Sequence, residues 1–380
     1  MKIVLSGVET KNKGAELMLY AILQEIERKY PDAVVYIERR KIPQGLGYLK
    51  TKLDVRYWPI ESILTKLHLS KFIRALHLPF KYDISSYAVR GANYFLDGSG
   101  FTFSDQWGWN NRGVKRWNRL LKRLHEKGSK IVFLPQAMGP AEKDTTKKMF
   151  SVLSQYSTII MPREKVSYNY LKNSGVVDMS KVKMYTDFTS LVEGTFPNKY
   201  KHLEGGICII PNMRMIDKGI ISFADYIKLL LSFIAIGKKT NNIVYLLNHE
   251  GKDDELLAFK CKKEAGNDIE VVTGLNALEV KGLISTAKLV ITSRFHGLAS
   301  ALNSCVPCLS TSWSHKYEEL YKDYNLTDCI LPLSDNKKTI QIVSSYLNED
   351  KNNEIRQHLK ERLPYIQAKT KEMWNVVWKS

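Results

Sequence analysis

Residues 288–307, "KLVITSRFHGLASALNSCVP", decide the fold. Leu289–Thr292 is a short apolar run without alternation, the pattern of a strand buried on both faces of a parallel sheet. Phe295, Leu298, Ala301 and Leu302 then recur at three- and four-residue spacing, which predicts a helix packed on that strand. Ser293 stands where an N-cap belongs. A strand, a cap and a helix start direct unpaired backbone N–H groups and a positive dipole end into the crevice beyond the strand, an anion site. Arg294 and His296 add positive charge at that same point, so the sequence predicts that a ligand brings the anion.

Outward from this unit the same alternation repeats. "KIVLSG", a helix "GAELMLYAILQEIERKY" and "AVVYIE" form a β-α-β unit, which implies a parallel sheet with right-handed crossovers. The alternation resumes with "YFLDGSG", a basic helix, "KIVFLPQ", "TIIMPRE", a helix "VSYNYLKN" and "VKMYTD". Residues 193–206, "EGTFPNKYKHLEGG", lack periodicity and read as a linker. A second series follows, from "GICIIP" to "KLVITS". The expected organisation is an N-terminal Rossmann-like domain over 1–192 with a basic insertion at about 39–90, and a second over 205–337. Helices over 338–380 would cross back onto the first. Two such domains facing a cleft make an α/β fold of the GT-B type.

The chain has 380 residues, a formal net charge of +18, a pI near 9.4 and a mean hydropathy of −0.26. That balance points to an anionic partner: nucleic acid, an anionic membrane face or a phosphorylated small molecule. The longest apolar runs, such as "IKLLLSFIAI", are too short to span a bilayer. The polar stretch after "MKIVLSG" lacks a secretory apolar core, so a cytoplasmic protein is expected. Five scattered cysteines suit a reducing compartment; Cys305 and Cys308 have no second pair and no nearby histidine, so no metal site is expected. Residues 39–81 hold ten Lys/Arg against Asp54 and Glu61. Within them "ESILTKLHLSKFIRALH" reads either as a basic amphipathic helix on the inner face of the membrane or as a helix packed on its own domain. "RGVKRWNRLLKRLHEKGSK" adds eight basic residues, read as a solvated helix face. No nucleic-acid reader motif accompanies the charge.

Ligands of parallel sheets bind beyond the carboxyl ends of strands. The residues expected there are Asn12, Gly14, Glu16, Asp97, Ser99, Gln136, Arg163 and Asp187 in the first half, and Arg214, His249, Glu250, Arg294, His296 and Lys316 in the second. "GVETKNKG" lacks the ending of a phosphate-binding P-loop and "GSG" lacks the third glycine of a dinucleotide fingerprint.

With "NKGAELML", "DGSG", "PQAMGP", "REKVSYNYL", "TDFTSLV", "LLNHEGKDDEL" and above all "SRFHGLASALNSCVPCLSTSWSHKYEEL" in this order, the chain resembles the polysaccharide pyruvyl transferase family. Ser99 interrupts the family's usual glycine run, and Ala15 replaces an acidic residue common there. The resemblance implies transfer of a carboxyethylidene group from phosphoenolpyruvate to a sugar diol, with release of phosphate, in the building of a capsule or other exopolysaccharide. It implies that His296, Arg294, Arg163 and Lys316 line the donor site and that the acceptor is a glycan precursor, which a lipid diphosphate could carry. Imidazole suits protonation of the donor methylene near neutral pH, so His296 is the expected general acid. Asp97, Glu16 and Asp187 are candidates for the base, and neither metal nor cofactor is required beyond the donor itself. The alternatives are a GT-B glycosyltransferase using a nucleotide sugar, and a basic lipid- or nucleic-acid-binding module without catalysis.

Overall fold

The computed structural model describes residues 1–38, 41–58 and 91–380, and divides into two compact units. Unit 1 comprises Met1–Thr10, Met18–Tyr185 and Met373–Ser380; unit 2 comprises Lys11–Leu17 and Thr186–Glu372. Each unit is built on its own parallel sheet.

The sheet of unit 1 has the order β3-β2-β1-β4-β5-β6. Its strands are β1 (Lys2–Ser6), β2 (Val34–Glu38), β3 (Asp54–Trp58), β4 (Tyr94–Asp97), β5 (Lys130–Gln136) and β6 (Ile159–Pro162). Its helices are α1 (Lys13–Lys29), whose first turn groups with unit 2, α2 (Asn111–Glu126), α3 (Asp144–Tyr156) and α4 (Lys165–Asn173). Phe95, Ile131, Phe133 and Ile160 from the strands bury completely against Leu121, Phe150 and Leu171 from the helices. Each such side chain contributes about 1.5–3 kcal/mol relative to exposure.

Two expectations need correction here. Part of the expected insertion is sheet: β3 pairs in parallel with β2, Val35 opposite Val55. Its exposed Asp54 and Arg56 pair across the solvent face at 2.6 Å, as suits a charged edge strand. The basic residues around it hid its alternation. Conversely "VKMYTD" contributes only an isolated bridge, Ile160 to Val182, because its next residues, Lys183 and Met184, face solvent. The amphipathic segment at 61–77 lies outside the described residues.

The sheet of unit 2 has the order β11-β10-β7-β8-β9. The strands are β7 (Ile207–Ile210), β8 (Val244–Leu247), β9 (Glu270–Val272), β10 (Leu289–Thr292) and β11 (Cys308–Ser310). The helices, in chain order, are α5 (Arg214–Asp217), α6 (Phe223–Lys239), α7 (Gly251–Glu264), α8 (Ala277–Ser285), α9 (Phe295–Asn303), α10 (Lys316–Asp323), α11 (Asn336–Leu347) and α12 (Glu349–Lys379). β7, β8 and β10 are buried at every position, as strands covered on both faces must be. Local signals agree with these elements. The Ser222 side chain caps α6, and Asn276 with Glu279 forms a capping box on α8.

The expected linker is packed rather than free. Thr195 donates its N–H to Leu278 O at 2.9 Å, and a Cβ on Gly194 would stand 2.4 Å from the backbone nitrogen of Gly282. Most of α12 belongs to unit 2, while its end groups with unit 1, where the Trp378 indole N–H donates to Glu25 at 2.8 Å.

Candidate functional site

In unit 2 the strand order reverses between β7 and β10, the crevice position for ligands in open parallel sheets. Ser293 follows β10 and is fully engaged there. Its Oγ lies 2.6 Å from both Tyr226 Oη and Thr311 Oγ1, and its carbonyl accepts from Tyr317 Oη at 2.7 Å and Asn212 Nδ2 at 2.6 Å. These bonds correct the expected N-cap: Arg294 occupies the cap position of α9, without a side-chain cap bond. Ser293 is spent on locking the strand end instead.

The guanidinium of Arg294 meets one residue collected at a strand end, Glu250, and one the sequence reading missed, Asp254. Its Nε donates to Asp254 Oδ2 at 2.8 Å, its Nη2 to the same carboxylate, and its Nη1 to Glu250. Asp254 is almost wholly buried and accepts the Met213 N–H as well. Burial pushes its carboxyl up to about 6, against the opposing pull of Arg294. The anion expected beside Arg294 is therefore supplied by the chain's own α7 start. The signal was present in "NHEGKDDEL", whose acidic residues lie at the beginning of a helix.

His296 is the second residue of α9, two positions on from Arg294. Its Nε2 is 3.4 Å from Asp187 Oδ2, close enough for an ion pair but outside hydrogen-bond alignment. Asp187 Oδ1 accepts the Thr189 N–H at 3.0 Å, which fixes the carboxylate. Lys281 lies behind it, buried, donating to Thr189 O at 3.1 Å. Burial lowers its ammonium to about 8 despite Asp187. A buried lysine inside "ALEVKGLIS" carries no mark in sequence that separates it from a surface one.

The other side of His296 is the start of α1. Gly14 is required there: a Cβ would fall 2.1 Å from His296 Nδ1. Asn12 caps this turn by accepting from the N–H groups of Gly14 and Ala15 at 2.8 and 3.1 Å. Lys13 bonds Glu16 at 2.7 Å, leaving Glu16 Oε1 buried without a hydrogen-bond partner. A bridge pairs Asn12 with Glu250, beside His249. The His249 ring is buried, and among the described residues its Nδ1 has no hydrogen-bond partner. Burial first, then Arg294, His296 and Lys13, hold its basicity well below the usual value, so it is a neutral imidazole at neutral pH.

Lys316 is buried at the start of α10 with its Nζ 4.6 Å from the Trp313 ring centre and 5.9 Å from that of Phe295, a cation–π arrangement. Arg214 does not join this group by any bond; its guanidinium is half exposed and pairs with Asp217 at 3.3 Å. Unit 2 thus brings together Asn12, Glu16, Asp187, His249, Arg294 and His296.

In unit 1 the order reverses between β1 and β4, and Asp97 ends β4 there. Asp97 is wholly buried, and its Oδ1 accepts from Ser99 N and Gln136 Nε2, both at 3.2 Å. Burial raises its carboxyl above the usual range against these bonds. Arg163 is buried after β6, its N–H bonded to Gln136 O at 2.9 Å, while Glu164 caps α4 through the Ser167 N–H. Among the described residues no group of His, Cys, Asp and Glu is arranged to hold a metal ion, and no helix is long and apolar enough to cross a membrane.

The family model for polysaccharide pyruvyl transferase matches residues 12–315. No curated protein matches the chain by sequence. Among solved structures it is similar to a UDP-GlcNAc 2-epimerase from Neisseria meningitidis bound to UDP-GlcNAc, with 11% identity, TM-score 0.60 and full coverage of both chains. Staphylococcus aureus MnaA with UDP gives 12% identity and TM-score 0.61, over 99% of this chain and 95% of the other. Anabaena HepE with UDP and glucose gives 12% and 0.58, over 99% and 100%. At such identities the likeness concerns the fold, the two-sheet α/β architecture of the GT-B class.

Proposed function

The chain belongs to the polysaccharide pyruvyl transferase family, and from that premise we propose that it moves a carboxyethylidene group from phosphoenolpyruvate to a sugar diol of a polysaccharide precursor. The observation that carries this reading is the buried cluster of unit 2, in which His296 stands between the Asp187 carboxylate and the capped start of α1. His296 delivers a proton to the donor's methylene carbon, and the carbon bearing the phosphate becomes electrophilic. One sugar hydroxyl adds there, phosphate departs, and the second hydroxyl closes the cyclic ketal; of the two hydroxyl protons one restores His296 and the other leaves on hydrogen phosphate.

Two cations of unit 2 serve the donor's phosphate and carboxylate in this scheme, Arg294 and Lys316, while a role for Arg163 rests on the family resemblance alone. Arg294 enters it already clamped by Asp254 and Glu250, so its guanidinium is held in one orientation before the donor arrives. For the hydroxyl proton the bonding favours Asp187 or Asp97 less than the sequence did. Asp187 is fixed on Thr189 and faces His296, and burial favours the neutral form of Asp97.

The test is phosphate release from phosphoenolpyruvate in the presence of the host's glycan precursor, with mass analysis of the glycan. Wild-type protein should add one carboxyethylidene unit. His296→Ala should lose about 10²–10⁴-fold in turnover, the usual contribution of a general acid, and Lys316→Ala should lower it through donor binding. Near wild-type turnover in both variants sinks the site assignment. A melting temperature raised by UDP and not by phosphoenolpyruvate replaces this reading with a nucleotide-sugar enzyme.

A further inference from the structure

Away from the His296 cluster, α2 is a surface that the transfer reaction does not use. Arg112, Lys115, Arg116, Arg119, Lys122 and Arg123 recur along it at three- and four-residue spacing and form one exposed stripe. From Arg112 to Arg123 the stripe runs about 17 Å at the helical rise per residue. The opposite face is already committed, because Val114, Leu121 and Leu124 are buried in the core of unit 1. Folding therefore does not call for the cations. It is opposed by them, since Arg112 with Arg116 and Lys115 with Arg119 are like charges one turn apart.

No carboxylate of the described residues pairs with Arg112, Lys115, Arg116 or Arg119, and Lys122 meets Glu126 only at 3.7 Å between two exposed side chains. Over 112–130, eight basic residues face that single acid, a large part of a chain net charge of +18. Just ahead of the helix, Trp107 is 53% exposed. Its indole N–H donates to Phe101 O at 2.6 Å, and its ring meets Phe101 edge-on, so the ring is held at the surface with its polar atom satisfied.

We propose that α2 and Trp107 form a docking surface for the anionic headgroup plane of a lipid bilayer. The cations lie on lipid phosphates, which relieves their mutual repulsion, and Trp107 enters the interfacial layer, where an amphipathic ring is favoured. The apolar face of α2 stays in its core, so the helix rests on the surface rather than inserting. A straight stripe of exposed cations, with one exposed aromatic four residues ahead of the helix, suits a plane of phosphates. A single-stranded nucleic acid is instead gripped by successive aromatic platforms along a groove. This inference stands apart from the transfer reaction, and its test reads no turnover.

The test is flotation of the full-length protein with vesicles of phosphatidylcholine alone and with vesicles containing about a third phosphatidylglycerol, at rising salt. The protein should bind only the anionic vesicles and release as salt screens the charges. The combined variant Arg112→Gln, Lys115→Gln, Arg116→Gln, Arg119→Gln should lose roughly fivefold in affinity per cation removed, with a melting temperature no lower than that of wild type. Trp107→Ala should weaken binding by a smaller factor and leave the salt dependence as it was. Should the combined variant fold poorly, Arg112→Gln and Arg119→Gln made singly must each show the fivefold loss. The proposal is overturned by retention of binding in the charge variants, by equal binding to phosphatidylcholine, or by preference for RNA or DNA over anionic vesicles at equal ionic strength.

Discussion

The two sheets reverse strand order at equivalent places, between β1 and β4 in unit 1 and between β7 and β10 in unit 2, yet the two crevice positions are built from opposite materials. In unit 1 the backbone of Gly7, at φ +73°, lies so close to Ser99 that a Cβ would meet the Ser99 Cα at 2.6 Å. Asp97 beside them is sealed from solvent and biased toward its neutral form. In unit 2 the same topological position holds a guanidinium paired with two carboxylates, an imidazole 3.4 Å from a third carboxylate, and a second, buried imidazole. Topology thus decides where polar groups gather, and side-chain volume and charge decide whether the place is packed shut or chemically equipped.

The pair Gly14 and Gly7 tests this contrast with the same substitution. Gly14→Ala drives a methyl into the His296 ring, a movable side-chain end, so the protein should stay folded while phosphate release falls about a thousandfold, the scale of a displaced general acid. Gly7→Ala meets backbone instead and forces a side chain into a left-handed conformation. It should cost about 3 kcal/mol or more in urea unfolding. Loss of stability at Gly14 with retained activity would reverse the assignment of the two ends.

How far this was readable from sequence follows from the same residues. The strand–helix alternation was legible because buried parallel strands are uninterrupted apolar runs, and Leu289–Thr292 shows it directly. β3 was missed because an exposed edge strand has only a weak alternation, diluted by neighbouring basic residues. At the site, Arg294, His296, Asp187, Glu16, Gly14 and Glu250 could be collected from strand ends, yet which of them meet was not legible, and Asp254 carried no such mark. Asp254 reaches Arg294 across forty positions of sequence, and Gly14 reaches His296 across far more. The dipole argument rightly demanded an anion beside Arg294; it had no means of telling a ligand's anion from the protein's own.

Asp254 is the next way to sharpen the comparison. Asp254→Ala leaves a mostly buried guanidinium with Glu250 alone and should cost about 2–3 kcal/mol, somewhat less than full removal of a buried partner. Asp254→Asn separates charge from shape. With the carboxyl raised to about 6 in the fold, the native state holds the proton more tightly than the unfolded chain, whose carboxyl titrates near 4. This group's contribution is therefore greatest below pH 4 and declines as pH rises to about 6. The stability difference between wild type and Asp254→Asn should change across that window and be flat above it. A flat difference throughout would mean that Arg294 keeps the carboxylate ionised in the fold.

The smallest effect belongs to the sealed end. Asp97→Asn preserves the acceptor oxygen used by Ser99 N and Gln136 Nε2, and it replaces a carboxyl that burial already drives toward neutrality. Equilibrium unfolding near neutral pH should shift by less than about 1 kcal/mol, with the direction set by pH. The raised carboxyl makes wild type relatively more stable in acid, and that advantage fades as pH climbs through the raised value, whereas the amide has no such slope. A loss of several kcal/mol together with loss of pyruvyl transfer would show an ionised, working Asp97. The crevice position of unit 1 would then be chemically equipped rather than packed shut.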